Sequence, residues 1–292
     1  MKGFSHLIYI TLFFLIGVTS LIILVINGYH YYSLPIEERV FSDLHTSLKP
    51  SGAVGHGLGI LGSLMMIMGV SLYMLRKRVR FFFRFGFLKY WLEFHIFLCT
   101  VGPMLILFHT AFKFGGIVSI SFWSMVVVVA SGFIGRFIYL QIPHSIQGQE
   151  LDVFALNRTE ADLNAELQNK ISIDEKILKE IDQVTKTEKY LRISALKSFF
   201  VVVQDYRKII RILGKLKHHL QKDLKLEKTK TKEILKTAKT KMILSRRIGM
   251  LRTMQKLFNY WHIFHLPFAL SMFIIMLVHV AVALAFGYKW IF

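Results

Sequence analysis

Residues 88–112 read LKYWLEFHIFLCTVGPMLILFHTAF, and residues 258–286 read FNYWHIFHLPFALSMFIIMLVHVAVALAF. Both runs exceed the roughly 20 apolar residues that a helix needs to cross a hydrocarbon core. Each carries two histidines fourteen residues apart, His95 and His109 in the first, His265 and His279 in the second. At 3.6 residues per turn this spacing leaves the members of a pair about 40° apart around the helix and roughly 21 Å apart along it. Each run therefore offers one imidazole towards each of its ends, on nearly one face. Ionisable groups inside an apolar span are costly and usually face a cavity, a partner or a cofactor, so four in matched register need a reason.

Working outward, three more apolar runs lie at about 7–27, 52–75 and 116–140, and 54% of the 292 residues are hydrophobic. The pattern predicts an all-α integral membrane bundle of five transmembrane helices. Its expected organisation is helices 1–4 in 1–140, a basic helical insertion in 141–257, and the fifth helix with its tail in 258–292. The first run follows Lys2 and lacks a small-x-small cleavage site, which favours a retained helix over a signal peptide. Net charge is +19. Basic residues crowd 76–89 (Arg76, Lys77, Arg78, Arg80, Arg84, Lys89) and 141–257, whereas 28–51 sets Arg39 and Lys49 against Glu37, Glu38 and Asp43. The positive-inside rule then puts the N-terminus, 76–89 and 141–257 in the cytoplasm and the C-terminus outside, as expected of a multi-pass membrane protein. The surplus charge is what topology and anionic membrane lipid already require, so no nucleic acid is expected as a partner.

The second run contains Gly52, Gly55, Gly57, Gly59, Gly62 and Gly69. These glycines permit close approach to a neighbouring helix or to a flat macrocycle. With no strand before them they are no dinucleotide fingerprint. Gly102-Pro103 predicts a mid-span kink in the third run. A start rich in tyrosine (Tyr29, Tyr31, Tyr32) suits the 28–51 connection to an interfacial belt. In 141–257, Thr159-Glu-Ala-Asp162 and Ser172-Ile-Asp-Glu175 resemble helix starts, and a looser basic stretch is expected near 222–241. The single cysteine, Cys99, leaves no intramolecular disulfide and no C-x-x-C-H haem attachment.

Under this topology His95 and His265 share an inner depth, and His109 and His279 an outer one. Neutral imidazole is a strong axial ligand for haem iron, and such rings have their other N–H oriented by a second group. Two stacked, non-covalent b haems, one between His95 and His265 and one between His109 and His279, account for all four. His262 is an alternative to His265, although its offset from His279 turns it about 100° away from that face. His56, at the outer depth, either displaces a ligand or serves a propionate or a quinol proton. Arg136 is a candidate partner for an inner propionate, and Glu93 a candidate proton acceptor.

The segments Leu92-Glu-Phe-His95 to His109-Thr-Ala-Phe-Lys-Phe-Gly-Gly116, and Trp261-His-Ile-Phe-His-Leu-Pro267 to His279, resemble bacterial cytochrome b subunits of respiratory chains. The paired histidines are also similar to the haem core of ferric reductases and NADPH oxidases. The resemblance covers the five spans, about half of the chain. It implies an electron-transfer subunit of an oxidoreductase complex holding two haem b, with other redox subunits and a quinone as partners. Flavin and nicotinamide chemistry is not carried over. The rival readings are a histidine-based proton or metal transporter and a membrane anchor for a cytoplasmic assembly.

Overall fold

A computed structural model describes residues 2–116, 118–143, 153–170, 195–223 and 225–286. All regular structure among them is helical: α1 (Lys2–Ser33), α2 (His45–Leu48), α3 (Ala53–Arg78), α4 (Leu88–His109), α5 (Val118–Gln141), α6 (Val153–Lys170), α7 (Ala195–His218) and α8 (Lys228–Ala285). Short 3-10 turns at Glu38–Phe41 and Arg80–Arg84 punctuate the connections around α3. Five helices are long and apolar enough to cross a membrane by length and composition, namely α1, the α2–α3 segment, α4, α5 and α8. Their outward faces carry large exposed apolar side chains, among them Phe14 and Ile26 on α1 and Leu277 and Val278 on α8.

The chain divides into two compact units, one of residues 1–133 with 264–292, the other of 134–263. In the first, Met66 of α3, Phe122 and Met125 of α5, and Met272 and Met276 of α8 form a buried core, joined by Ile106 and Leu107 of α4. Unbranched methionines suit such a seam, because their three torsions fill irregular gaps between helices. α1 lies against α4 through aromatic rings, Phe13 stacking on Phe97 at 4.3 Å. Pro103 sits inside α4, which runs on to His109 with one intrahelical bond fewer.

The connection after α1 is more ordered than its loop-like sequence suggests. α1 extends to Ser33, so Tyr29, Tyr31 and Tyr32 are helical. Tyr31 is not interfacial: it is fully buried against Leu48 and Ala111, and its hydroxyl meets His45 Nδ1 at 3.1 Å. Arg39, 5% exposed, ties this region together. Its guanidinium donates to the carbonyls of Leu34 (3.0 Å), Tyr32 (2.9 Å) and Ala111 (2.5 Å). Those carbonyls lie in the last turn of α1 or just past the ends of α1 and α4, where helical partners run out. Ala111 and Phe112 adopt left-handed backbone angles, φ 47° and 58°, which side-chain-bearing residues resist. Arg39→Leu removes the donor to one buried and two part-buried carbonyls and is expected to destabilise the fold by about 3 kcal/mol, read as a lower Tm in detergent; Arg39→Lys, without the planar fork, should recover only part of it.

In the second unit, α7 packs Ile209, Ile212 and Leu216 against Ile234, Ala238 and Met242 of α8. The stretch expected to be loose near 222–241 is therefore mostly helix, because α8 starts at Lys228. Apolar residues every fourth position (Ile234, Ala238, Met242) supply a buried stripe that a dense lysine content hides from inspection. A second cluster joins Ile138 and Ile142 at the end of α5, Leu156 of α6, Val202 of α7, and Met250, Leu251 and Met254 of α8. Thr159 lies within α6 rather than at its start, since the helix begins at Val153, one turn before the buried Leu156. The Ser172 capping box lies outside the described residues.

Candidate functional site

The first unit is organised by the α3–α4 contact, where glycines of one helix meet histidines of the other. His109 Nδ1 lies 2.8 Å from the Gly55 carbonyl, and His95 Nδ1 lies 3.0 Å from that of Gly69. Midway, Gly62 and Gly102 face each other so closely that a Cβ on Gly62 would sit 2.7 Å from the Gly102 oxygen. The numbers of each facing pair share one total, so the helices run antiparallel with no slip. Gly55, Gly62 and Gly69 recur every seven residues, as do His95, Gly102 and His109. A seven-residue repeat keeps one seam facing its partner at a crossing of about +20°. The glycines of α3 thus serve tight helix packing, and a Cβ on Gly59 would fall 2.8 Å from the His109 ring.

A carbonyl oxygen only accepts, so in neutral His95 and His109 the proton is on Nδ1 and Nε2 carries the lone pair. His265 is oriented by a side chain instead: Ser131 Oγ lies 2.7 Å from its Nδ1 and 2.8 Å from the Val128 carbonyl. A hydroxyl can donate or accept, so this contact holds the ring without choosing its tautomer. Three histidines on two helices are therefore oriented through Nδ1 by neighbouring helices, and in His95 and His109 the carbonyl acceptor leaves Nε2 as the nitrogen that can meet a metal.

At the far end of α4, His109 and His279 have ring centres 6.5 Å apart, and His56 lies 6.4 Å from His109. The three line one cavity of about 230 Å³ with Pro50, Ser51, Val282, Ala283 and Phe286. Metal–imidazole bonds of about 2.0–2.1 Å on opposite sides of one atom put ring centres roughly 6 Å apart. His109 thus has two neighbours at a fitting separation. At the other end, Tyr73 lies 5.4 Å from the His95 ring, and Cys99 Sγ is 3.5 Å from His95 Nδ1. Met272 stands midway between His265 and His279 and is buried, its carbonyl accepting from Ser121 Oγ at 3.0 Å. Among the described residues, no three His, Cys, Asp or Glu side chains are grouped to hold a bare ion.

No family model matches this chain, and neither a curated protein nor a solved structure does. The chemistry therefore rests on the residues themselves.

The remaining candidates fall elsewhere. Arg136 belongs to the second unit, with its guanidinium 5.8 Å over the Tyr139 ring. His262 is also in that unit, exposed, with Nδ1 3.1 Å from the Phe258 carbonyl of its own helix. Glu93, 7% exposed, has His6 Nε2 3.1 Å and Lys89 Nζ 3.7 Å from its carboxylate oxygens. Sequence reasoning named Gly55 and Gly69 only as sites of close approach, not as partners of the histidines, and missed Ser131. The two glycines had a readable signal: they are fourteen residues apart, as the histidines are, with a glycine halfway in each helix, Gly62 and Gly102.

Proposed function

We propose that the chain carries electrons across a membrane through two b haems, His95 and His265 holding one and His109 and His279 the other. The observation behind this reading is the orientation of His95, His109 and His265 through Nδ1 by neighbouring helices, with the carbonyl contact repeated at both levels of a fourteen-residue spacing. A buried packing histidine also takes a hydrogen-bond partner; what favours haem ligands is the recurrence of the same Nδ1 contact at matched positions, which leaves Nε2 for iron. When bound, each haem supplies a one-electron redox centre.

The residues' own part is to bind, orient and insulate. Gly55 and Gly69 keep Nδ1 of His109 and His95 protonated, and with Ser131 at His265 they hold the rings. An accepting carbonyl also makes the ring more basic, and so the better donor to iron. The methionine and phenylalanine core between the levels separates them with apolar packing. His56 faces the His109–His279 cavity from α3, placed to meet a propionate or a quinol there. Within the same reading, the chain is a subunit of a respiratory or redox complex of a bacterial inner membrane, its donor a quinol or a cytoplasmic protein; five helices long and apolar enough to cross a membrane support the membrane part of it.

The decisive experiment is an optical spectrum of the purified chain with pyridine haemochrome quantification. Two b haems per chain, reducible by dithionite, are expected; a preparation that folds yet binds no haem when supplied with it overturns the reading. Orientation has its own test. Protease added to inside-out vesicles should cut 141–257, and right-side-out vesicles should protect it; cleavage from the outside alone inverts the topology and exchanges the two haem levels.

A further inference from the structure

The connection between α3 and α4 is short, residues 79–87, and its sequence VRFFFRFGF places aromatic rings among cations. The flanking helices both belong to candidate spans, so this segment is held where they end. It is not a loose loop. Arg76 donates from Nη2 to the carbonyls of Gly86 (2.8 Å) and Phe83 (3.2 Å), and Trp91 Nε1 donates to the Phe85 carbonyl at 2.7 Å. A 3-10 turn over Arg80–Arg84 and a left-handed Gly86, φ 65°, complete the reversal. Inward polar groups are thus satisfied by Arg76 and Trp91 while the rings turn outward. Phe81 is 69% exposed, Phe83 and Phe85 51%, and Phe87 39%. Lys77, Arg78, Arg80, Arg84 and Lys89 are exposed beside them, and residues 76–89 contain no aspartate or glutamate.

From this we infer that residues 77–89 form a preformed docking surface for anionic phospholipid, with the phenylalanine rings seated at the boundary of headgroup and acyl chain and the arginines on the phosphates. Neither half suffices alone. Exposed rings of this density are unfavourable in water and fit an interface between apolar and polar media. Lys89 has Glu93 3.7 Å away, but Lys77, Arg78, Arg80 and Arg84 have no acidic residue within the loop and complement a negative lipid surface, and a guanidinium fork matches phosphate geometry. The internal hydrogen bonds matter as well, because a surface already folded spends no ordering entropy on binding. The inference rests on the membrane-spanning part of the proposed function and is independent of the haems.

Trp91, bonded to the loop, is the natural reporter. In full-length protein carrying Trp123→Phe, Trp261→Phe and Trp290→Phe, reconstituted in phosphatidylcholine nanodiscs, its fluorescence is measured with brominated phosphatidylglycerol or with brominated phosphatidylcholine as quencher. The ratio of the two cancels any constant quenching by haem. Several-fold stronger quenching by the anionic lipid is expected at low salt, falling as salt screens the charges. The Arg78→Gln/Arg80→Gln/Arg84→Gln variant should bring the ratio to one, and the corresponding triple lysine variant should keep most of the preference. Equal quenching in the unsubstituted loop, or a preference that survives the glutamine variant, overturns the inference. Quenching by neither lipid would mean that the loop is covered by something other than lipid, and overturns it too. Protein that does not co-elute with nanodiscs removes the membrane reading itself.

Discussion

Replacing His95 with alanine should remove close to one haem per chain and leave the other with its spectrum intact, and His265→Ala should do the same at the same level. His109→Ala and His279→Ala should instead remove the second haem and spare the first. The separation is expected because each ring is oriented by its own hydrogen-bond partner, Gly69 for His95, Gly55 for His109 and Ser131 for His265, and none of these three bonds is shared between levels. His56→Ala is the informative control, since His56 and His279 stand at almost the same separation from His109. Retention of two haems there, with only the far level perturbed, keeps His279 as the ligand. Loss of one haem from His56→Ala, with none lost from His279→Ala, would move the ligand from α8 to α3. Should all four of the first substitutions retain two haems by pyridine haemochrome, the ligand assignment fails.

The second large effect comes from a residue that touches neither level. Gly62→Val places a branched side chain where a Cβ alone would already lie 2.7 Å from the Gly102 oxygen and 2.9 Å from the Ile106 side chain. The obstacle is backbone, which cannot rotate away, so the helices must separate. Overpacking of this kind typically costs 1–3 kcal/mol, and the rigid neighbour argues for about 3 kcal/mol or more here. Because Gly62 and Gly102 are midway between the Gly55–His109 and Gly69–His95 contacts, displacement there lengthens both hydrogen bonds. Haem at both levels should fall together, unlike the one-at-a-time loss from the histidine variants. Gly132→Ala is the matched comparison, because nothing lies within 4 Å of the added Cβ. In a helix it should be neutral or stabilising by about 0.5–1 kcal/mol. Wild-type haem content and Tm in Gly62→Val would show that the α3–α4 crossing does not set the histidines.

These two experiments divide along what a linear sequence can and cannot reveal. The spanning helices were legible because apolar runs of their length have few alternatives, and the histidine pairs because fourteen residues is close to four whole turns. Gly55, Gly69 and Ser131 act through backbone carbonyls or a hydroxyl aimed across a helix–helix contact, and that depends on register between segments. A glycine reads as permission for close approach without saying what approaches. Tyr31 was misplaced for a related reason: its ring resembles an interfacial anchor until the Arg39 clamp folds the following turn over it. The lysine-rich start of α8 was read by composition, whereas its fate is decided by Ile234, Ala238 and Met242 alone.

The shared seven-residue spacing also says which parts of the chain are free to change length. A single residue inserted between Gly55 and Gly69, or between His95 and His109, would rotate everything beyond it by about 100° and take one contact out of phase. Even a compensating insertion in the facing interval of the other helix would restore distance along the axis without restoring the face that each residue presents. The segment between Arg78 and Leu88 lies outside both intervals, so its length leaves the pairing untouched. Natural variants of this chain should therefore carry insertions and deletions in the connections between helices, and never within these two intervals.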